Sequence, residues 1–205
     1  MNRSEGPKFS IIIPTCDRPK LLQQTLQAAI DVDYQDYEIV VSDNFSAPDT
    51  AELVHSFNDP RIQYIRTDRR LNMADHWQFA YEHLRGKYAI ILGDDDGIVR
   101  QALNRLHKVI EVTHTELITW KNHTYWHPDW PTWRRNSMAI DRTREIATSL
   151  ISAEVIVNMA QRLGHVSYPA FPHGSRFCIS RSLAGRIIKR TGRLFDLPYP
   201  DFTSG

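Results

Sequence analysis

The chain has 205 residues with 25 basic and 24 acidic side chains, a formal charge of +1, so no strong global field draws it to nucleic acid or membrane. Hydrophobic content of 41% and charged content of 24% exclude a disordered chain and suit one well-buried domain. Two cysteines, Cys16 and Cys178, exclude a disulfide framework and a cysteine-based zinc centre, and both are expected as free thiols in a reducing compartment.

In chain order, Phe9–Ile13 is a β-branched run stopped by Pro14 and reads as a buried strand. Thr15-Cys16-Asp17-Arg18 forms the loop after it, and Pro19 opens a helix with a stripe of Leu21, Leu22, Thr25, Leu26, Ala29 and Ile30. Tyr37–Val41 is a second strand ending in Ser42-Asp43-Asn44. A helix from Pro48 packs Leu53, Val54 and Phe57, and Arg61–Ile65 alternates as a third strand. After Asn72, Met73, Trp77, Ala80, Tyr81 and Leu84 mark a third helix, stopped near Gly86. Lys87–Leu92 is a fourth strand, and it ends in Gly93-Asp94-Asp95-Asp96-Gly97.

This βαβαβαβ order predicts an α/β fold with a mostly parallel sheet and right-handed crossovers. Ligands of open α/β sheets bind outside the carboxyl ends of the strands. The loops at Thr15, Asp43 and Asp94 should therefore share one edge. Three adjacent carboxylates repel one another by about 4 kcal/mol per pair at about 4 Å near a protein surface, which asks for a cation. Asp oxygens suit Mg²⁺ or Mn²⁺, held by one or two carboxylates plus substrate phosphates. No G-x-G-x-x-G follows the first strand and no G-x-x-x-x-G-K is present, so a dinucleotide fingerprint and a P-loop are both excluded. Asp43 is placed to accept hydrogen bonds from a base or ribose.

The stretches Ile11–Pro19, Glu38–Asn44, Asp59–Ile65, Leu71–Tyr88 and Leu92–Asp96 together resemble family 2 glycosyltransferases of the GT-A fold, over roughly residues 8 to 105. The resemblance implies an inverting, metal-dependent enzyme that moves a sugar from a nucleotide diphosphate donor, with UDP expected, to a glycan, lipid-linked or other hydroxyl acceptor. Carried over by position, Thr15 and Asp43 contact the nucleoside. Asp17, also expected at the nucleotide sugar, stands where the family has Asn and Cys16 where it has an aromatic, which leaves the nucleotide open. Asp94, Asp95 and Asp96 supply the DXD motif. Gly93 shifts its register, so Asp95 is the expected direct ligand of Mn²⁺ or Mg²⁺ with Asp96 beside it, and Asp94 faces the donor ribose or sugar.

In the second half, Arg100–Val112 predicts a helix and Leu117–Trp120 a fifth strand. The aromatic-rich stretch Lys121–Trp133 reads either as a sugar-stacking acceptor wall or as a loop packing on the core, and His123 and His127 lack the third ligand of a zinc site. Two helical patterns, near 142–150 and 152–163, precede a loop in which His173 and Arg176 could meet the departing diphosphate. Phe177–Ile179 is a strand and Arg181–Arg190 a basic, solvated helix. An inverting transfer needs a carboxylate to take the acceptor proton, and the resemblance points to Asp201, with Asp196 as the second choice.

The whole chain is expected to form one domain, residues 1–205. Its donor half covers about 8–105 and its acceptor half about 106–205, the latter ending soon enough after Asp201 to suggest a missing C-terminal part. Without a signal peptide or a run of roughly 18 apolar residues, the expected location is cytoplasmic, with peripheral attachment at the inner face of the membrane left open. A non-catalytic nucleotide-sugar binding module and a Mg²⁺-dependent nucleotidyltransferase are the rival readings.

Overall fold

The computed structural model describes residues 6–120, 124–126, 133, 137–139 and 177–195. Strands β1 (Phe9–Thr15), β2 (Tyr37–Asp43), β3 (Ile62–Arg66) and β4 (Tyr88–Ile91) alternate with helices α1 (Pro19–Ile30), α2 (Pro48–Ser56) and α3 (Met73–Glu82). Helix α4 (Ala102–Thr113), strand β5 (Leu117–Thr119), a hairpin of β6 (Thr124–Trp126) and β7 (Ser137–Ala139), strand β8 (Phe177–Ser180) and helix α5 (Arg181–Thr191) follow. The main sheet runs β3-β2-β1-β4-β8-β5, with β1 to β4 parallel and β8 antiparallel to β4.

Strand β1 continues through Pro14 to Thr15, where the sequence pattern stops it at Ile13. The ladder explains this. Ile12 O accepts from Leu92 N on the β4 side, and Thr15 O accepts from Asn44 N on the β2 side. Pro14 therefore turns its missing N–H toward β4, whose pairing with β1 has already ended at Ile12–Ile91. The proline releases β4 into its acidic loop while β1 stays paired with β2 as far as Thr15–Asp43.

Strands β1, β2 and β3 are laid down in one direction across the sheet, and the chain then crosses back to place β4 on the other side of β1. Right-handed crossovers put α3 on the opposite face from α1 and α2. On one face Ala74, Trp77, Ala80, Tyr81 and Leu84 pack with Ile12, Val40, Ile91 and Phe177, and Trp77 meets Phe195 edge-on at 5.7 Å. The alternate strand residues Ile11, Ile13, Ile39 and Val41 are fully buried on the other face. At the amino edge of the sheet, buried Glu38 accepts from Ser10 Oγ, Arg85 N, Arg85 Nε and Gly86 N at 2.6–3.1 Å, which pins the turn from α3 into β4. A Cβ on Gly86 would sit 2.6 Å from Ser10 N, so that turn requires glycine.

The chain divides into two compact units, one of residues 1–118 with 173–205 and one of residues 119–172. The second unit's described part is the β6–β7 hairpin, with Tyr125 opposite Met138.

Candidate functional site

The reversal of strand order between β1 and β4 is a topological switch point, and the crevice outside the carboxyl ends there is where open α/β sheets hold ligands. The structure brings the three polar strand ends together at this edge. Thr15 Oγ1 donates to Asp94 Oδ2 at 2.7 Å, and Thr15 pairs with Asp43 across the ladder. Thr25, a polar residue within the apolar stripe of α1, donates its hydroxyl to the backbone carbonyls of Asp94 (2.9 Å) and Asp96 (2.8 Å). Helix α1 thereby holds the acidic loop in place.

Within the acidic loop the three aspartates occupy different environments. Asp94 has no exposed surface, Asp95 is exposed and Asp96 is half-buried. Burial pushes the Asp94 carboxyl above the usual range, opposed by the Thr15 hydroxyl and by Arg18. Asp94 Oδ1 lies 2.5 Å from Arg18 Nη2, close enough for an ion pair but outside hydrogen-bond geometry. Arg18 Nε also donates to Asp94 Oδ2 (3.2 Å) and Nη1 to Asp95 Oδ2 (3.1 Å). Three adjacent carboxylates ask for a divalent cation to relieve their repulsion. Part of that relief comes from the protein itself, through the guanidinium of Arg18.

The donor set still fits a hard divalent ion. A Cβ on Gly93 would lie 2.8 Å from Asp96 Oδ2 and 3.1 Å from Asp95 Oδ1, so two carboxylate oxygens reach over a spot that only glycine leaves open. No group of three or more His, Cys, Asp or Glu suited to a metal exists among the described residues. Two carboxylates completed by substrate phosphates is the Mg²⁺ pattern.

Thr15 and Asp43, expected against the nucleoside, are 2% and 0% exposed. Asp43 Oδ1 accepts from Ser46 N (2.9 Å), Oδ2 accepts from Tyr64 OH (2.6 Å), and Arg66 Nε lies 3.5 Å from Oδ2. Burial and then the Asp43 carboxylate push the Tyr64 hydroxyl up, so Tyr64 stays a donor. Asp43 thus reaches the surface only through the side chains it orients. Asp17 is exposed and takes a left-handed φ of 54°. Its amide donates to Ser46 Oγ (2.8 Å), its Oδ1 accepts from Ala47 N (3.2 Å), and its Oδ2 pairs with Arg70, which holds the carboxyl below its usual range. Arg70 Nη1 also lies 3.3 Å from Cys16 Sγ, while burial pushes that thiol up. Arg18, Thr25, Tyr64, Arg66 and Arg70 escape a reading of the sequence because each acts across strands. The residues expected at His123, His127, His173, Arg176, Asp196 and Asp201 lie outside the described residues.

A family model described as glycosyl transferase family 2 matches residues 10–154. The chain belongs to glycosyl transferase family 2. Among its relatives is the GalNAc(5)-diNAcBac-PP-undecaprenol beta-1,3-glucosyltransferase of Campylobacter jejuni, 31% identical over 49% of this chain and 33% of that protein. The UDP-Glc:alpha-D-GlcNAc-diphosphoundecaprenol beta-1,3-glucosyltransferase of Escherichia coli is 26% identical over 48% of this chain and 39% of its own length. The matched stretch thus spans little more than a third of these curated relatives. Among solved structures, S. aureus TarS in complex with UDP-GlcNAc superposes with a TM-score of 0.53 at 21% identity, over 56% of this chain and 34% of that one. A mannosyltransferase from Pyrobaculum calidifontis in complex with GDP-Man and Mn²⁺ gives 0.59 at 18% identity, over 90% and 47%. At these identities the likeness establishes the fold, and that fold is the GT-A one expected from the sequence. For this family 2 chain, the switch-point edge of the sheet is therefore the candidate donor site.

Proposed function

We propose that this chain is an inverting glycosyltransferase that takes a sugar from a nucleoside diphosphate donor, with UDP the expected nucleotide, to a hydroxyl of a lipid-linked or other glycan acceptor. The observation that carries the reading is the acidic loop at the switch point, where Asp95 and Asp96 oxygens converge over Gly93 beside the buried Asp94. Asp95 and Asp96 would hold Mn²⁺ or Mg²⁺, which when bound supplies Lewis-acid stabilisation of the diphosphate leaving group. Arg18 and Arg70, half-exposed on the same edge, are fixed cations available to the diphosphate oxygens as charge develops. Thr15 and Thr25 hold the acidic loop in place beneath the donor. Asp201, or failing it Asp196, takes the proton of the acceptor hydroxyl, and attack from the face opposite the leaving group inverts the anomeric carbon.

The two beta-1,3-glucosyltransferase relatives, whose names carry undecaprenol-linked acceptors, support a lipid-linked acceptor here. Peripheral attachment to a membrane is consistent with α5, which contains no acidic residue and exposes Arg181, Lys189 and Arg190. No helix among the described residues is long and apolar enough to cross a membrane.

Calorimetric titration of a UDP-sugar tests the donor site. Asp95→Ala should weaken binding at least about tenfold in the presence of Mn²⁺ and leave the metal-free affinity unchanged, since a divalent site built on two carboxylates loses half its protein ligands. Equal affinities with Mn²⁺ present would refute the assignment.

A further inference from the structure

Asp43 is sealed from solvent with its oxygens engaged by Ser46, Tyr64 and Arg66, so a base arriving at this edge meets what covers it. Arg66 is the exposed member of that set, and the Phe45 side chain lies against its guanidinium. Phe45 directly follows Asn44 at the end of β2 and has a φ of 59°, in the left-handed region that a bulky side chain rarely adopts. The residue is 42% exposed, so apolar burial does not repay that conformation. The Arg66 guanidinium lies 4.5 Å from the ring centroid, in cation–π range. Arg66 is itself fixed from two sides, by the Asp43 carboxylate at 3.5 Å from Nε and by the Ser46 carbonyl, which accepts from Nη2 at 2.9 Å. Its Nη1 has no hydrogen-bond partner among the described residues.

We propose that Phe45 and Arg66 form the nucleobase platform of the donor site, with Asp43 as the buried residue that positions Arg66. The inference rests on the nucleoside diphosphate reading above and assigns the base-reading role to this exposed pair. An aromatic face stacks on any base. A guanidinium N–H beside it donates to ring carbonyl oxygens, so the platform suits a base that presents carbonyl acceptors. Phe45 thus stands exposed at the edge and outside the core.

Binding to the full chain, measured by calorimetry with Mn²⁺ present, separates base contact from phosphate contact when UDP and inorganic pyrophosphate are compared. Phe45→Gly suits the left-handed backbone, so its melting temperature should stay within about 3 °C of the wild type. The same variant should lose about fivefold or more in UDP affinity, the lower end of what one stacked base contributes. Its pyrophosphate affinity should not change, and Phe45→Tyr should restore UDP binding. An unchanged UDP affinity in Phe45→Gly would overturn the platform while leaving the donor site standing, as would a parallel loss for UDP and pyrophosphate. If the wild type binds neither ligand, the platform and the donor reading fall together.

Discussion

Asp94 is a carboxylate with no exposed surface beside two others, and its immediate neighbours determine how it is tolerated. Like charges about 4 Å apart cost roughly 4 kcal/mol near a protein surface. Thr15 and Arg18 offset that with one hydroxyl and two guanidinium contacts to the carboxylate. Arg18 is half-exposed, so its contribution is screened and falls well short of a fully buried pair. Arg18→Gln should therefore lower stability by about 1–2 kcal/mol, read as the urea midpoint. Mn²⁺ without any donor should restore much of that loss and raise the variant's midpoint more than the wild type's. Equal Mn²⁺ responses would mean that the guanidinium and the metal do not share the same carboxylates. The aspartates themselves were legible from their spacing, but their counter-ion was not. Arg18 and Asp94 lie 76 residues apart, and only the adjacency of β1 and β4 joins them.

At the scale of elements, helix α3 is tied to β2 through one buried polar contact, with His76 Nε2 2.9 Å from Ser42 Oγ. Burial lowers the His76 pKa from 6.5 to about 4, so the folded chain holds this ring neutral. Below pH 6.5 the unfolded chain takes up a proton that the folded chain refuses, so stability falls as pH drops toward 4. The loss is about 2 kcal/mol at pH 5. His76→Gln should remove that part of the slope between pH 7 and pH 5, measured by denaturant melts of both proteins. An identical slope in the variant would show that His76 is protonated in the fold. The elements were legible from hydrophobic period and caps, as at Asn72, whose side chain accepts from Asp75 N. Boundaries slipped where pairing overrides local propensity, as in β1 at Pro14, and the left-handed turn at Phe45 carried no glycine to announce it.

Across the whole molecule, the alternation of strands and helices up to β4 was readable because each unit is local. The insertion of β8 between β4 and β5 was not, because it depends on a strand that returns from residue 177. The shared edge of Thr15, Asp43 and Asp94 followed from the parallel order of the strands. The burial of Asp43 and Thr15 at that edge, and the exposure of Arg18, Phe45 and Arg66 beside them, came only from packing. A thermal-shift screen of UDP- and GDP-sugars against the full chain, each with and without Mn²⁺, tests the central claim most directly. Ligand at about 100 times its dissociation constant stabilises by roughly 2.7 kcal/mol, or about 5–10 °C for a chain of this size. The donor site predicts a shift of that order for at least one nucleotide sugar, and only when Mn²⁺ is present. An equal shift without the metal, or none with any nucleotide sugar, would contradict it.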